Sequence, residues 1–298
     1  MKKILLIGGN GFIGRNLKEF LGNFTNEYDV VAPSRYELNI LDEISVKDYL
    51  SKDFFDVVIH AAICNPVRGH ITSVQNELEQ DIRGFYNFEK YQKLFGKMIY
   101  LGSGAEYDKT KDIVSVSEED FMNNIPKNQY GLAKYVIGKS IEKSDNIYNL
   151  RIFGLFGKYE NWRTTFISGA CCKALKGLPI TIRKNVYFDY MYIDDFCKIV
   201  KWFVDNIPKY RTYNMSTGMK VDLISIAVII NKLIDKVVPV YVCEDGLANE
   251  YTADNKRLMS EIGNDFRYTL HKNAIGELLD YYRKHIDDVD LYSLLYQR

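Results

Sequence analysis

Several features are scarce in these 298 residues, and each scarcity removes a class of function. The 39 basic and 39 acidic side chains cancel, so no bulk attraction to nucleic acid or to an anionic membrane is expected. Cysteine is sparse and odd in number: Cys64, Cys171, Cys172, Cys197 and Cys243 show no Cys-x-x-Cys spacing and no paired framework. With only four scattered histidines, this argues against a bound metal and for buried thiols in a reducing compartment. Long apolar runs are missing too. Met1-Lys2-Lys3 precedes an apolar stretch too short for a secretory core, and runs such as Ile224 to Ile230 cannot cross a bilayer. No repeat, low-complexity tract or obvious linker interrupts the chain. The expectation is a cytoplasmic, soluble protein with neither a nucleic-acid nor a membrane partner.

What is present reads as alternating strands and helices. Length allows about two domain-sized units, and 47% apolar with 26% charged residues is ordinary for a globular chain. Ile4-Leu5-Leu6-Ile7 is a continuous apolar run, as expected for a strand buried on both faces of a parallel sheet. Gly8-Gly9-Asn10-Gly11-Phe12-Ile13-Gly14 follows at once, and Ile13, Leu17, Phe20 and Leu21 then mark a helix that stops at Gly22. Strand, glycine turn and helix form the context of a phosphate cradle. The glycines permit a tight turn, and the helix N-terminus offers free N–H groups to a pyrophosphate.

The next strand, Tyr28 to Ala32, runs into Pro33-Ser34-Arg35 with no acid until Glu37. An acid at this point suits the ribose of NAD. Arg35, with the Ser34 hydroxyl, suits the extra phosphate of NADP instead. Asn39 to Asp42 is expected to close another short strand before a helical stretch to Leu50. Phe55 to Ala62 is the next buried strand, whose small Ala61 and Ala62 let a flat cofactor lie close; His60 within it is expected to be a core histidine. Residues 74–95 read as one long polar helix, and Lys97 to Leu101 as a strand ending in Gly102-Ser103-Gly104-Ala105-Glu106-Tyr107. A serine at the carboxyl end of a central parallel strand lies where such sheets bind ligands. Leu101 occupies the first glycine position of a Gly-x-Ser-x-Gly elbow, so a hydrolase nucleophile is disfavoured.

Tyr130 to Ile141 carries apolar residues at near-helical spacing, and Tyr130 and Lys134 fall four residues apart on one helix face. A cation beside a phenol favours the phenolate and tunes it for proton transfer. The spacing alone is common by chance in a chain with 23 tyrosines. Ile147 to Ile152 is a further strand. Beyond it come a helix around Thr165 to Leu175, strands at Ile180 to Ile182 and Tyr187 to Ile193, and a helix opening at Asp194-Asp195. Helices over Val221 to Val237 and Asp254 to Ile262 flank a strand at Val240 to Cys243.

Taken together, the chain resembles the extended short-chain dehydrogenase/reductases of the epimerase/dehydratase type, which act on nucleotide-linked sugars. The matching pieces are Gly8-x-x-Gly11-x-x-Gly14, Asp56 to Ala62, Ser103 with Tyr107, Tyr130-x-x-x-Lys134, Leu150-Arg151-x-Phe153-x-x-Phe156-Gly157, Tyr192 to Asp195 and Asn214-x-Ser216-Thr217-Gly218. They run in family order over about residues 1–263.

That resemblance implies an α/β fold: a doubly wound Rossmann domain over 1–153, with returning segments near 187–215 and 238–243, and an interwoven substrate domain mainly over 154–298. It implies a cofactor site at Gly8, Gly11, Phe12, Ile13, Gly14, Ser34, Arg35, Asn39, Ile40, Ala61, Ala62, Ile63, Tyr130, Lys134 and Phe153. Tyr130 would exchange a proton with the sugar oxygen, Lys134 would hold the nicotinamide ribose and tune Tyr130, and Ser103 would hydrogen-bond the reacting oxygen. A homodimer through residues 76–94 and 130–143 is also implied.

Within the family, the 4,6-dehydratases carry Thr-Asp-Glu where this chain has Ser103-Gly104-Ala105, and fucose-synthase-like members carry a cysteine at the place of Ala105. What remains is hydride chemistry, and Arg35 turns the reading toward an NADPH-dependent reductase of a nucleotide-linked 4-keto (deoxy)sugar in surface-glycan synthesis, NAD being the other cofactor possible. A 4-epimerase with tightly held NAD is the alternative, and a non-catalytic dinucleotide-binding sensor the second. Three positions depart from the pattern: Phe188 for a diphosphate-gripping arginine, Gly154 for an asparagine, and Asp81 for an asparagine. Arg163, Arg183 and Lys184 are the candidate replacements for the missing grip.

Overall fold

The computed structural model describes residues 1–63 and 76–295. In chain order its first half holds β1 (Lys2–Ile7), α1 (Phe12–Gly22), β2 (Tyr28–Val31), α2 (Glu43–Lys52), β3 (Phe55–His60), α3 (Glu77–Glu89), β4 (Phe95–Ser103), β5 (Ile113–Val116), α4 (Gln129–Ile141) and β6 (Ile147–Ile152). The second half holds β7 (Gly154–Phe156), α5 (Phe166–Leu175), β8 (Ile180–Asn185), β9 (Tyr187–Tyr192), α6 (Ile193–Asp205), β10 (Thr212–Met215), β11 (Lys220–Asp222), α7 (Leu223–Leu233), β12 (Val240–Leu247), β13 (Tyr251–Ala253), α8 (Lys256–Ile262), α9 (His271–Lys284) and α10 (Leu291–Leu295).

Six strands form one parallel sheet in the order β10-β6-β4-β3-β1-β2. The apolar run of β1 explains its place inside. Ile4 and Leu6 pack into one core with Leu17, Leu21 and Phe196, while Leu5 and Ile7 pack into another with Val46, Phe85 and Ile137. A strand covered on both faces has no polar side to show, so the period-2 alternation is absent. The fold is the α/β, Rossmann-type architecture expected. The carboxyl ends of β1, β3, β4 and β6 define the crevice where ligands of such sheets bind.

A second, five-stranded sheet runs β11-β9-β13-β5, with β7 paired to β9 off that path. The chain first crosses to it at β5, returns to the six-stranded sheet at β6, crosses again at Gly154, and lends β10 to the six-stranded sheet before β11 and β13. The segment at about 238–243 lies elsewhere: β12 pairs in parallel with β8.

Four local readings are corrected by the structure. Asn39–Asp42 is a turn, because the Asn39 side chain accepts from Leu41 N–H and Asp42 turns to cap α2 at Ile44 N–H. The long polar helix ends at Glu89, and a 3-10 turn at Gln92–Leu94 leads into β4, which starts earlier than expected at Phe95. Residues 74–75 of that expected helix, and Cys64, lie outside the described residues. The helix expected over Val221 to Val237 is shorter, opening at Leu223 where Asp222 caps Ser225 N–H. The helix expected to open at Asp194-Asp195 starts at Ile193, and the Asp195 carboxylate accepts from Thr269 N–H at 2.6 Å and from Lys198, tying α6 to the approach of α9.

Candidate active site

The glycine loop is shaped by close approach. Gly8 has φ +82°, and a Cβ on it would sit 2.8 Å from Ala62 N at the end of β3. A Cβ on Gly14 would meet Gly8 O at 2.1 Å, so only glycine lets α1 start against the loop. Gly11 N–H closes the turn on Gly8 O at 3.0 Å. No side chain caps α1 and no acid stands in its first turn, which leaves the helix end for an anion. Phe12 and Ile13 open the helix half-buried against the core, and Ala61, Ala62 and Ile63 leave β3 beside the loop.

After β2, Ser34 N–H donates to Glu37 Oε2 at 2.7 Å, which holds that carboxyl below its usual range. Arg35 is exposed and makes no ion pair or hydrogen bond among the described residues. Asn39 and Ile40 sit in the turn before α2; the Ile40 side chain lies over Gly84 of α3, and its carbonyl accepts from Asn87 at 2.8 Å.

Tyr130, Lys134 and Ser103 converge. Asn128 accepts from Gly131 N–H at 2.7 Å and starts α4, fixing the turn that carries Tyr130. Tyr130 and Ser103 line one cleft of about 420 Å³. The Tyr130 hydroxyl has no hydrogen-bond partner among the described residues, and Ser103 Oγ accepts from Ala105 N–H at 3.1 Å while its own proton is uncommitted. Lys134 is 1% exposed, donates to Tyr100 Oη at 2.7 Å and to Leu101 O at 3.0 Å, and lies 5.8 Å from the Tyr130 ring centre. Burial works against its charge, but the Tyr100 and Tyr130 hydroxyls and the Asp81 carboxyl hold its ammonium above the ordinary value. His60 is a core residue, as expected. It packs on Phe88 and Tyr100, and burial, then the Lys134 charge, pushes it down to about 4.

The far side of the cleft is aromatic. Phe153 lies 4.9 Å from Tyr251, and Phe188 lies 5.1 Å from Tyr190. Gly154 stands where it does because a Cβ would meet Asp189 O at 2.4 Å, so the asparagine of related chains has no room. The Asp189 side chain gathers Ser216 Oγ, Thr217 and Gly218 N–H, each within 2.8 Å, which makes the Asn214-x-Ser216-Thr217-Gly218 motif a structural clasp. Arg163 stacks on Trp162 and Arg183 pairs with Glu244; neither they nor Lys184 line the cleft. Lys109 does, with its ammonium 4.2 Å over the Tyr251 ring. Sequence reasoning missed Lys109, Tyr190 and Tyr251. Lys109 lies two residues beyond Tyr107 in no matching motif, and the two tyrosines arrive from β9 and β13, far along the chain.

The NAD dependent epimerase/dehydratase family matches residues 4–216. The chain belongs to that family. A GDP-L-fucose synthase of Azorhizobium caulinodans is 34% identical over 243 residues, covering 74% of this chain and 77% of that relative. Among solved structures, UDP-glucose 4-epimerase of Thermotoga maritima superposes with a TM-score of 0.80 at 20% identity, over 95% of this chain and 99% of that one. GDP-mannoheptose C4 reductase of Campylobacter jejuni, with NADP bound, gives 0.75 at 16% identity over 95% and 98%. Among the described residues, no helix is long and apolar enough to cross a membrane and no acidic, histidine or cysteine cluster is fit for a metal.

Proposed function

We propose that this chain reduces the keto group of a nucleotide-linked 4-keto sugar with NADPH. The observation that carries the reading is the pair of uncommitted hydroxyl protons, on Tyr130 and Ser103, lining one cleft beside buried Lys134. A nicotinamide dinucleotide fits the residues present: the Gly8 to Gly14 loop admits close backbone approach, and the α1 N-terminus is left without a side-chain cap. The cofactor supplies the hydride when bound. Gly8, Gly11 and Gly14 would hold its pyrophosphate, Ser34 and Arg35 its 2′-phosphate, Asn39 and Ile40 its adenine, and Ala61, Ala62, Ile63 and Phe153 the remainder.

Tyr130 would give its proton to the sugar oxygen as charge builds there, while Ser103 donates a hydrogen bond to the same atom. The Lys134 ammonium would steady the tyrosinate left behind. Lys109, over the Tyr251 ring, would face the substrate diphosphate in the absence of an arginine at Phe188. Beside the reacting groups Glu106 is fully buried and bound to Arg151, and Glu160, the carboxyl that lines the cleft, accepts from Ser168, so neither is offered as a dehydrating acid. A homodimer through α3 and α4 is part of the same proposal.

Denaturing the purified protein and measuring released nucleotide separates this from epimerisation, as does NADPH oxidation with GDP-, CDP-, dTDP- and UDP-linked 4-keto sugars. An empty protein that oxidises NADPH with one of them is expected. Stoichiometric released NAD would sink the reductase reading in favour of a 4-epimerase.

A further inference from the structure

We infer that Glu106 is a positioning residue that sets Ser103 against the helix carrying Tyr130 and Lys134. The inference rests on the reductase reading for its kinetic consequence but on the structure for its geometry.

Glu106 is 0% exposed, and its carboxylate joins the end of β4 to β6 and to α4 behind the cleft. Oε1 accepts from the Ser103 backbone N–H at 3.1 Å, closing a reciprocal pair in which Ser103 Oγ accepts from Ala105 N–H. Oε2 accepts from Arg151 Nε at 2.6 Å, and Asn149 Nδ2 reaches both oxygens at 3.2 and 3.1 Å. The same Oε2 lies where a Cβ on Gly138 would come within 2.6 Å. Gly138 stands one helical turn beyond Lys134 on α4, so the carboxylate touches the strand end of Ser103 and the helix of Tyr130 at once.

Arg151 is fixed in turn. Its guanidinium lies 4.0 Å from the Phe121 ring centre, and Nη1 donates to Tyr107 Oη at 3.3 Å. Tyr107 Oη donates to Asn214 Oδ1 at 2.8 Å, and Asn214 N–H donates to Glu118. The brace therefore runs from the serine to β10.

A dry ion pair is a poor source of stability, because the desolvation of both ions offsets their attraction. Its geometric demand is high, however, since each lone pair must find its donor. Apolar side chains of similar volume would fill this place at little cost in stability but would fix nothing. A charged brace here is therefore explained by alignment: proton transfer and oxyanion bonding lose about 100-fold from a displacement of about 1 Å.

The test is Glu106→Gln in the full chain, assayed with NADPH and GDP-4-keto-6-deoxymannose or dTDP-4-keto-6-deoxyglucose, alone and combined with Ser103→Ala. Glu106→Gln should lower kcat about 10- to 100-fold with NADPH affinity unchanged, and should cost less than about threefold further once Ser103 is alanine. Multiplying losses would show a general structural defect and overturn the inference. The apolar pair Glu106→Leu with Arg151→Met is the second variant. It should stay folded, with a melting temperature lowered only by the acceptor lost to Ser103 N–H and Asn149, and lose kcat similarly; full turnover overturns the inference, and so does unfolding of both variants, which would make the brace a stability element.

Failure of the reductase reading shows separately, as a wild type inactive on both sugars or a Ser103→Ala that turns over normally. The brace is then judged by hydrogen exchange of the Ser103 amide. Faster exchange in Glu106→Gln at unchanged global stability supports it, and unchanged exchange overturns it.

Discussion

The two walls of the cleft are built on different principles. The reaction wall, β4 with α4, is polar, dry and cross-tied: Ser103, Lys134, Tyr100 and Glu106 are all buried and each has a named partner. The opposite wall, from the β6–β7 link, β9 and β13, is aromatic and held by shape, with Phe153, Phe188, Tyr190 and Tyr251 at ring distances of 4.9 to 5.8 Å. Hydrogen bonds in a dry site fix atoms to fractions of an ångström, which proton transfer needs. Ring contacts fix a surface, which suffices for the proposed sugar-nucleotide substrate. Damage to the first wall should therefore appear in kcat, and damage to the second in KM.

The largest effect should come from Tyr130→Phe, which removes the proposed proton donor and leaves the ring. A fall in kcat of about 10³-fold, roughly 4 kcal/mol, is expected in single-turnover NADPH oxidation, with cofactor affinity unchanged. A variant keeping full turnover would strip the reaction wall of its assigned role.

His60 reports how dry that wall is. Its folded value of about 4 lies below the ordinary 6.5, so the unfolded chain binds the extra proton between these values. Stability should be complete above pH 6.5 and fall as pH drops toward 4, by about 3 kcal/mol for this group. Urea unfolding of wild type and His60→Phe at pH 7 and pH 4.5 should show a steeper loss in wild type. Equal pH slopes would mean that water reaches the wall.

Arg35→Ala should weaken NADPH by about 2 kcal/mol, roughly 30-fold, and leave NADH alone, because a charge-assisted phosphate contact is worth about that much. Fluorescence titration of both cofactors decides it; an equal loss for both would remove the assignment to the 2′-phosphate. The smallest change is expected on the aromatic wall. Phe188→Ala should raise KM about three- to tenfold, at most about 1.4 kcal/mol, with kcat within about twofold. A kcat loss as large as that of Tyr130→Phe would erase the distinction between the walls.

The reaction wall was also the legible one. Tyr130 and Lys134 share a helix face whatever the tertiary contacts, and the Ser103 position follows from a strand end, so local periodicity sufficed. The turn at Asn39–Asp42 was misread because short apolar runs next to side-chain-capped turns look like strands. Helix α9 carries Ala274, Ile275, Leu278 and Leu279 as a buried stripe at helical spacing, a local periodic signal of the same kind.

The sequence by itself determined the parallel sheet, the glycine loop and its helix, the Tyr130 and Lys134 pair, and membership of a family of sugar-nucleotide enzymes. Each depends on backbone sterics or on spacing within one element. Only the tertiary structure decided that Asn149 and Arg151 reach the Glu106 carboxylate, that Asp189 leaves no room for a side chain at Gly154, and that Lys109 reaches the cleft over Tyr251. Those depend on where β6, β9 and β13 come to rest against β4 and α4. Contacts between segments so far apart in the chain leave no periodic trace in it.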